Sequence, residues 1–529
     1  MTIDQTLITQ SPFAKQASEE LIPIATIIYH ADTSRIGEVC QLLELKQNLL
    51  QSISRLSPEF SHIKSNRSQT ISDPYISRKP IQLSLINGGL SIKKPAELTG
   101  NVTVNGRLLV DELFIVGNEW REGVLLSMSN RVVLFLHHSP RASKTSPHDH
   151  GLLGESDVIA KLRVVIDRVA DLKVPVLIRG ETGTGKELIA QAIHNSSRRQ
   201  QQDFVSVNVA AIPESLAISE LFGSKKGAFT GATKDRAGYF QQADQGTLFL
   251  DEIGDAQEQI QVALLRTLET GEVTPVGSAN TIRVDVRLVA ATDADLEQSI
   301  EDNRFRSPLL QRLAGFEIRL QPLRKRREDI GRLLIHFLKK ELESVNESHH
   351  LENTTSNVSF WASVFYKASL FDWPGNIRQL KNIAQQLAIY NREVDFLTLP
   401  DHIAELFTPR STPTLPTETP QYEQAVQEAP VEDLKPRRKP STVTEEELHE
   451  ALKTNRWDLK ATSESLNISR AALYKIIDNT DSVCTASDYD VEVLRLSFIQ
   501  NDGDLEKMVD ELKVSKAALK RRLKDLSLQ

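Results

Sequence analysis

Apolar residues in the first quarter of the chain come in short runs: "IATIIYHA" (24–31), "IQLSLI" (81–86), "NVTVNG" (101–106) and "RVVLFLHH" (131–138), broken by Gly, Asn and Pro. Runs of this length rich in β-branched residues, bounded by turn formers, predict a β-rich domain over 21–138. The polar stretch 1–20 is expected to be disordered, and "SPRASKTSPHDH" (139–150) to be a linker. From 151 to 408 the pattern changes. Continuous apolar strands, "VPVLIRG", "DFVSVNV", "GTLFLDE" and "VRLVAAT", alternate with helical stretches. That alternation predicts a parallel α/β core followed by a helical tail.

Seven of the 22 prolines fall between Pro409 and Pro440, which predicts a stiff, disordered tether over 409–441. Beyond it, "NRWDLKATSESLNISRAALYKII" (455–477) aligns without gaps to "NDGDLEKMVDELKVSKAALKRRL" (501–523), with eight of 23 positions identical. Two short helices joined by a tight turn suit each unit, so 442–480 and 485–529 are expected to be all-α repeats.

Length and charge narrow the partners. A chain of 529 residues accommodates three or four domains. Its net charge of −8 means that any surface for nucleic acid is local. Cys40 and Cys484 make no disulfide framework. The N-terminus lacks a basic, apolar leader and no 18-residue apolar run follows, so a cytoplasmic protein with no membrane partner is expected.

Candidate chemistry begins after the strand "VPVLIRG". Gly180, Gly183 and Gly185 let backbone N–H groups of the loop Gly180-Glu181-Thr182-Gly183-Thr184-Gly185 turn inward on phosphates, at the N-terminus of the following helix. Lys186 is placed to reach the β- and γ-phosphates, and Glu187 stands where a Mg²⁺-touching hydroxyl is common. The strand "GTLFLDE" ends in a carboxylate pair. Asp251 suits a Mg²⁺ ion, directly or through water, and Glu252 suits polarisation of an attacking water. ATP and Mg²⁺ are therefore the expected cofactors.

Taken together, "GETGTGKE", "SELFGSKKGAFTGA", "GTLFLDEIGD", "VRLVAATD" and "WPGNIRQLKN" resemble the AAA+ domain of sigma-54-dependent transcriptional activators, the bacterial enhancer-binding proteins. The resemblance implies an ATPase that assembles as a homo-hexamer and remodels the closed complex of sigma-54 RNA polymerase. It makes Gly227, Ala228, Phe229, Thr230, Gly231 and Ala232 the mobile loop that contacts sigma-54, with Phe229 and Thr230 at its tip. It makes Asn208 the relay from Glu252 to that loop, Arg306 and Arg312 the arginine fingers, and Arg378 the second sensor. Asp293 replaces the family's sensor Asn, Pro308 replaces the Asp usual after the first finger, and "GYFQ" (238–241) loses a charge pair near the loop. ATPase activity is expected to be retained with its rate tuned.

The terminal regions resemble known modules too. "NISRAALYKIID" is similar to the Fis-type helix-turn-helix, which implies that Ser469 caps a helix whose Arg470, Tyr474 and Lys475 face double-stranded enhancer DNA. The second repeat carries Lys516, Lys520, Arg521, Arg522 and Lys524, a density that suits phosphate contacts or else a solvated packing helix. "SRIGEV", "DPYISRKPIQL" and "VTVNGRLL" look like a divergent forkhead-associated (FHA) β-sandwich. That implies a phosphothreonine partner held by Ser77, Arg78 and Asn105, the alternative being an ordinary protein-contact sandwich. For the whole chain, the alternative is a DNA-binding regulator that uses nucleotide only to assemble.

Overall fold

The structure, a computed structural model, describes residues 21–407 with short breaks (47–48, 64–66, 99, 141–145, 147, 229–232 and 353–354), then 445–454 and a few single positions beyond. It falls into two units, 1–413 and 414–529. In the second, the described element is helix Glu445–Thr454. Apart from that helix and the single positions, the expected helix-turn-helix repeats lie outside the described residues, as do Ser469, Arg470, Tyr474, Lys475, Lys516, Lys520, Arg521, Arg522 and Lys524.

The first unit opens with a β-sandwich. Its six-stranded sheet runs in the order 39–41, 21–29, 132–140, 124–128, 102–104 and 107–108, and its four-stranded sheet in the order 112–115, 89–93, 81–86 and 51–53. Every pairing in both sheets is antiparallel. Between them lies a core that includes Ile27, Phe60, Leu83, Ile92, Val104 and Leu134.

Three strands of the larger sheet are buried on both faces, which explains why their sequences are apolar runs without alternation. In strand Val132–Pro140, Val132, Leu134 and Leu136 face the sandwich core, while Val133 and Phe135 join a second cluster with the helical subdomain. A bulge at Ile28 breaks the alternation in strand Leu21–Tyr29, so Ile28 and Tyr29 both join that second cluster. The helices they meet are Ile330–Ser344 and Thr355–Leu370. Contact is close: a Cβ on Gly331 would sit 2.3 Å from the Ile28 carbonyl oxygen, so a side chain there has no room. The Gly106 N–H donates to the Tyr366 hydroxyl at 2.6 Å.

Residues 151–407 form the α/β core and its helical subdomain. Five parallel strands run in the order 204–208, 247–251, 287–292, 176–179 and 316–319. One face is covered by helices Asp157–Val169 and Lys186–Asn195. The other is covered by Glu214–Phe222, Glu258–Thr270 and Ser307–Leu313. Strand 176–179 sits between its later neighbours 287–292 and 316–319, a reversal of chain order that opens a crevice at the strands' C-terminal ends. None of the described helices is long and apolar enough to cross a membrane. Cys40 is buried, and burial pushes its thiol up to about 12.

Candidate functional site

The crevice holds the phosphate loop. Gly183 and Gly185 adopt φ of +79° and +100°, backbone that disfavours any other residue, and they swing the loop onto the start of helix Lys186–Asn195. A Cβ on Gly183 would lie 2.4 Å from the Gly375 carbonyl oxygen. Lys186 is buried, its Nζ donating to the Gly180 carbonyl at 2.9 Å. Asp251 stands near that ammonium, and burial raises its carboxyl above the usual range while the Lys186 charge pulls the other way.

Glu252 follows in a left-handed conformation, φ 55°, that few side chains adopt. This turn brings its carboxylate to Asn208, whose Nδ2 donates to Glu252 Oε2 at 3.2 Å. Asn208 Oδ1 in turn accepts the Ala211 N–H at 3.1 Å. Asn208 ends one strand and Glu252 follows the end of its parallel neighbour, with Asn208 paired in register to Asp251, so the sheet itself sets the contact. Asp293 follows strand 287–292, and its carboxylate takes the Thr182 hydroxyl of the phosphate loop.

A second set of residues, not legible from any local motif, ties the loop to the helical subdomain. Arg324 grips Glu181 with both terminal guanidinium nitrogens, and the hydrogen bond holds that carboxyl below its ordinary range. Asn376 is fully buried at φ 49°. Its Nδ2 donates to Glu181 Oε2 (3.2 Å) and the Thr182 carbonyl (3.1 Å), and its Oδ1 accepts the Leu323 N–H at 2.8 Å. The backbone N–H groups of Ile377 and Arg378 both reach the Gly183 carbonyl, at 2.9 and 3.3 Å. Arg378 itself is exposed. The Trp-Pro-Gly turn before Asn376 was the one available signal.

Arg306 and Arg312 lie apart from this loop, exposed on and beside the short helix Ser307–Leu313. They pair with Glu258 at 2.5 Å and Glu269 at 3.5 Å. Pro308 falls in the first turn of that helix, where a missing N–H costs nothing.

The glycine-rich loop leaves the domain at Gly223. Its tip, Phe229 to Ala232, lies outside the described residues, whereas Gly227 and Ala228 are described. Asp235 clamps the base, accepting from Lys225 Nζ at 2.6 Å and from the Lys226 N–H at 2.9 Å. The Lys225 N–H also donates to the Val276 carbonyl, and Arg236 pairs with Glu220. Gln241 of "GYFQ" donates to the Phe222 carbonyl at 3.4 Å.

In the sandwich, Arg35 is spent internally: it pairs with Glu38 at 2.8 Å and donates to the carbonyls of Gln69, Thr70 and Ile71. Asn105, at φ 45°, uses its Oδ1 to hold the Leu125 N–H at 2.9 Å. Ser77 Oγ accepts the Lys79 N–H, and Arg78 is exposed.

Comparison with known proteins finds matches for the nucleotide domain and its lid. Residues 152–319 match the sigma-54 interaction domain, and 324–414 match the AAA+ ATPase lid domain. The chain thus carries a AAA+ P-loop domain with its helical lid. The transcriptional regulator NtrC of Salmonella typhimurium is 41% identical over 285 residues, 53% of this chain and 58% of that one. The phenol regulator MopR of Acinetobacter guillouiae is 47% identical over 237 residues, 45% of this chain and 41% of its own. A crystal structure of NtrX from Brucella abortus in complex with ATP shows 26% identity and a TM-score of 0.41, covering 62% of this chain and 69% of that one. The chain spans about half the length of the curated relatives it matches.

Proposed function

We propose that this protein is an ATP-driven activator of transcription, which binds enhancer DNA through its C-terminal repeats and remodels sigma-54 RNA polymerase through the loop at 227–232. The observation that carries the reading is the Asn208–Glu252 bond, which links the end of the nucleotide strand to the strand beside it. The donor set fits a magnesium nucleotide: inward-turned glycines, a buried Lys186 and a carboxylate, Asp251, beside it. Bound there, ATP supplies the phosphoryl group, and Mg²⁺ offsets charge on its oxygens.

The chain's own residues do the rest. Lys186 and the loop N–H groups would orient the phosphates, and Asp251 would hold the metal. Glu252 polarises water once it leaves Asn208, whose amide masks one carboxylate oxygen in the meantime. Arg306 and Arg312 point outward, as residues serving a neighbouring subunit of a homo-hexamer must. Asp293 adds a negative charge against Thr182, which slows turnover relative to an amide at that position. Asp235 anchors the base of the loop through Lys225 and Lys226. A threonine-phosphorylated partner at Ser77 and Arg78 is the proposed input. The loop argues against a regulator that uses nucleotide only to assemble, because such a protein has no need of it.

The test is transcription from a sigma-54 promoter with purified polymerase and ATP. Phe229→Ala is expected to abolish open-complex formation and to leave ATP hydrolysis intact. Normal activation by that variant overturns the assignment of the loop.

A further inference from the structure

A cavity of about 510 Å³ lies where the sandwich meets the first helix of the nucleotide domain and the start of the lid. Its walls differ in character. The sandwich side offers Ile22, Ile24 and Val39, with Glu59 also in its wall. His137 beside them is pushed down to about 4 by burial and so is neutral. The opposite side carries four carboxylates, Glu155, Asp157, Glu328 and Asp329, against one guanidinium, Arg332.

Most of that acidity is already answered. Asp329 accepts the N–H groups of Glu155 and Ser156 and the Ser156 hydroxyl. Asp157 pairs with Lys161 at 2.8 Å, and Glu155 Oε1 takes Arg332 at 2.6 Å. Two lining groups keep an unanswered atom: Glu155 Oε2 and His62 Nδ1 are both buried without a hydrogen-bond partner. Glu328 has a little exposed area yet is ringed by protein atoms; burial and then the Asp329 charge push its carboxyl up to about 8. A buried carboxylate oxygen left unpaired is destabilised, and a donor entering the cavity relieves it. The volume is that of a site for a small organic molecule.

We propose that this cavity binds a small organic cation, an amine or amidine on an apolar body, with its N–H groups on Glu155 Oε2 and its body on Ile22, Ile24 and Val39. The placement gives binding a consequence. Glu155 and Asp157 begin the first helix of the nucleotide domain, whereas Glu328, Asp329 and Arg332 begin the lid. A ligand held between them and the sandwich fixes the angle between core and lid, and so alters ATP turnover; this part rests on the ATPase reading above.

Full-length protein titrated with tryptamine, phenethylamine and benzamidine, against indoleacetate, phenylacetate and benzoate, tests the site. Calorimetry should show the amines binding with Kd at or below about 1 mM, and the carboxylates of the same shape not binding. Glu155→Gln should weaken the amines by about ten-fold, and Ile24→Trp, which fills the cavity, should abolish binding. Failure of every amine to bind, equal binding by the carboxylates, or full binding by Ile24→Trp overturns the site. Binding with an unchanged ATPase rate overturns the regulatory part while leaving the site. Absence of any ATPase activity, with binding retained, counts against the proposed function and not against the cavity.

Discussion

Replacing Asn376 by Ala removes the residue that joins the phosphate loop to the lid. Two costs can be worked from its surroundings. The Leu323 N–H, buried with its residue at 0% exposure, loses its acceptor. A buried donor left unsatisfied costs about 1–3 kcal/mol. Ala at φ 49° adds about 1 kcal/mol, because a Cβ is disfavoured in left-handed backbone where Asn is tolerated. The sum is about 2–4 kcal/mol, drawn from the lid. With a urea slope of about 2 kcal/mol per M, the lid's midpoint should fall by about 1–2 M. Trp361 and Trp373, both buried in the lid, report it by fluorescence. Asn376→Asp separates the terms, since it keeps the acceptor and tolerates the backbone but sets a second carboxylate beside Glu181. That variant should recover stability at the Leu323 contact and still weaken nucleotide binding. An Ala midpoint within about 0.3 M of the parent refutes the reasoning.

Acid should act through His137. The folded imidazole stays neutral down to about 4, whereas the free one takes its proton near 6.5, so between these values the unfolded chain binds more protons and stability falls as pH falls. The full window is worth up to about 3 kcal/mol; His137→Gln should flatten the curve, and parallel stability profiles from pH 4 to 7 would count against it. Glu252→Gln should bind ATP and fail to hydrolyse it, while Lys186→Ala should lose binding itself; a normal hydrolysis rate in the glutamine variant removes Glu252 from its role. Replacing Lys520, Arg521 and Arg522 by Ala should lower the salt dependence of DNA binding by up to about three phosphate contacts, and an unchanged slope assigns that segment to packing. Tyr366→Phe should cost about 1 kcal/mol and speed hydrogen exchange at Gly106, whose N–H loses its acceptor.

The nucleotide loop was legible in the sequence because its chemistry is contiguous. Strand, glycines, lysine and helix follow one another in the chain, and each step needs its residue type for a reason of backbone geometry or charge. Asp251 and Glu252 were legible for the same reason, as the polar end of an apolar strand. The contact between Glu252 and Asn208 required the register of two parallel strands, which periodicity does not specify. Likewise, Arg324 and Asn376 stand 143 and 195 positions from Glu181, and each alone reads as an ordinary polar residue. The apolar runs of the N-terminal domain predicted strands correctly. Their lack of alternation carried a further meaning, burial on two faces, that tertiary packing alone reveals. Arg35 shows the reverse case. It stands in the FHA-like stretch "SRIGEV", and a buried Glu38 and three backbone carbonyls claim its donors. Local sequence determined which backbone conformations and which charges were available. The tertiary fold decided which of those charges were left free, since a donor can serve a ligand only if no neighbour brought in from elsewhere in the chain already holds it.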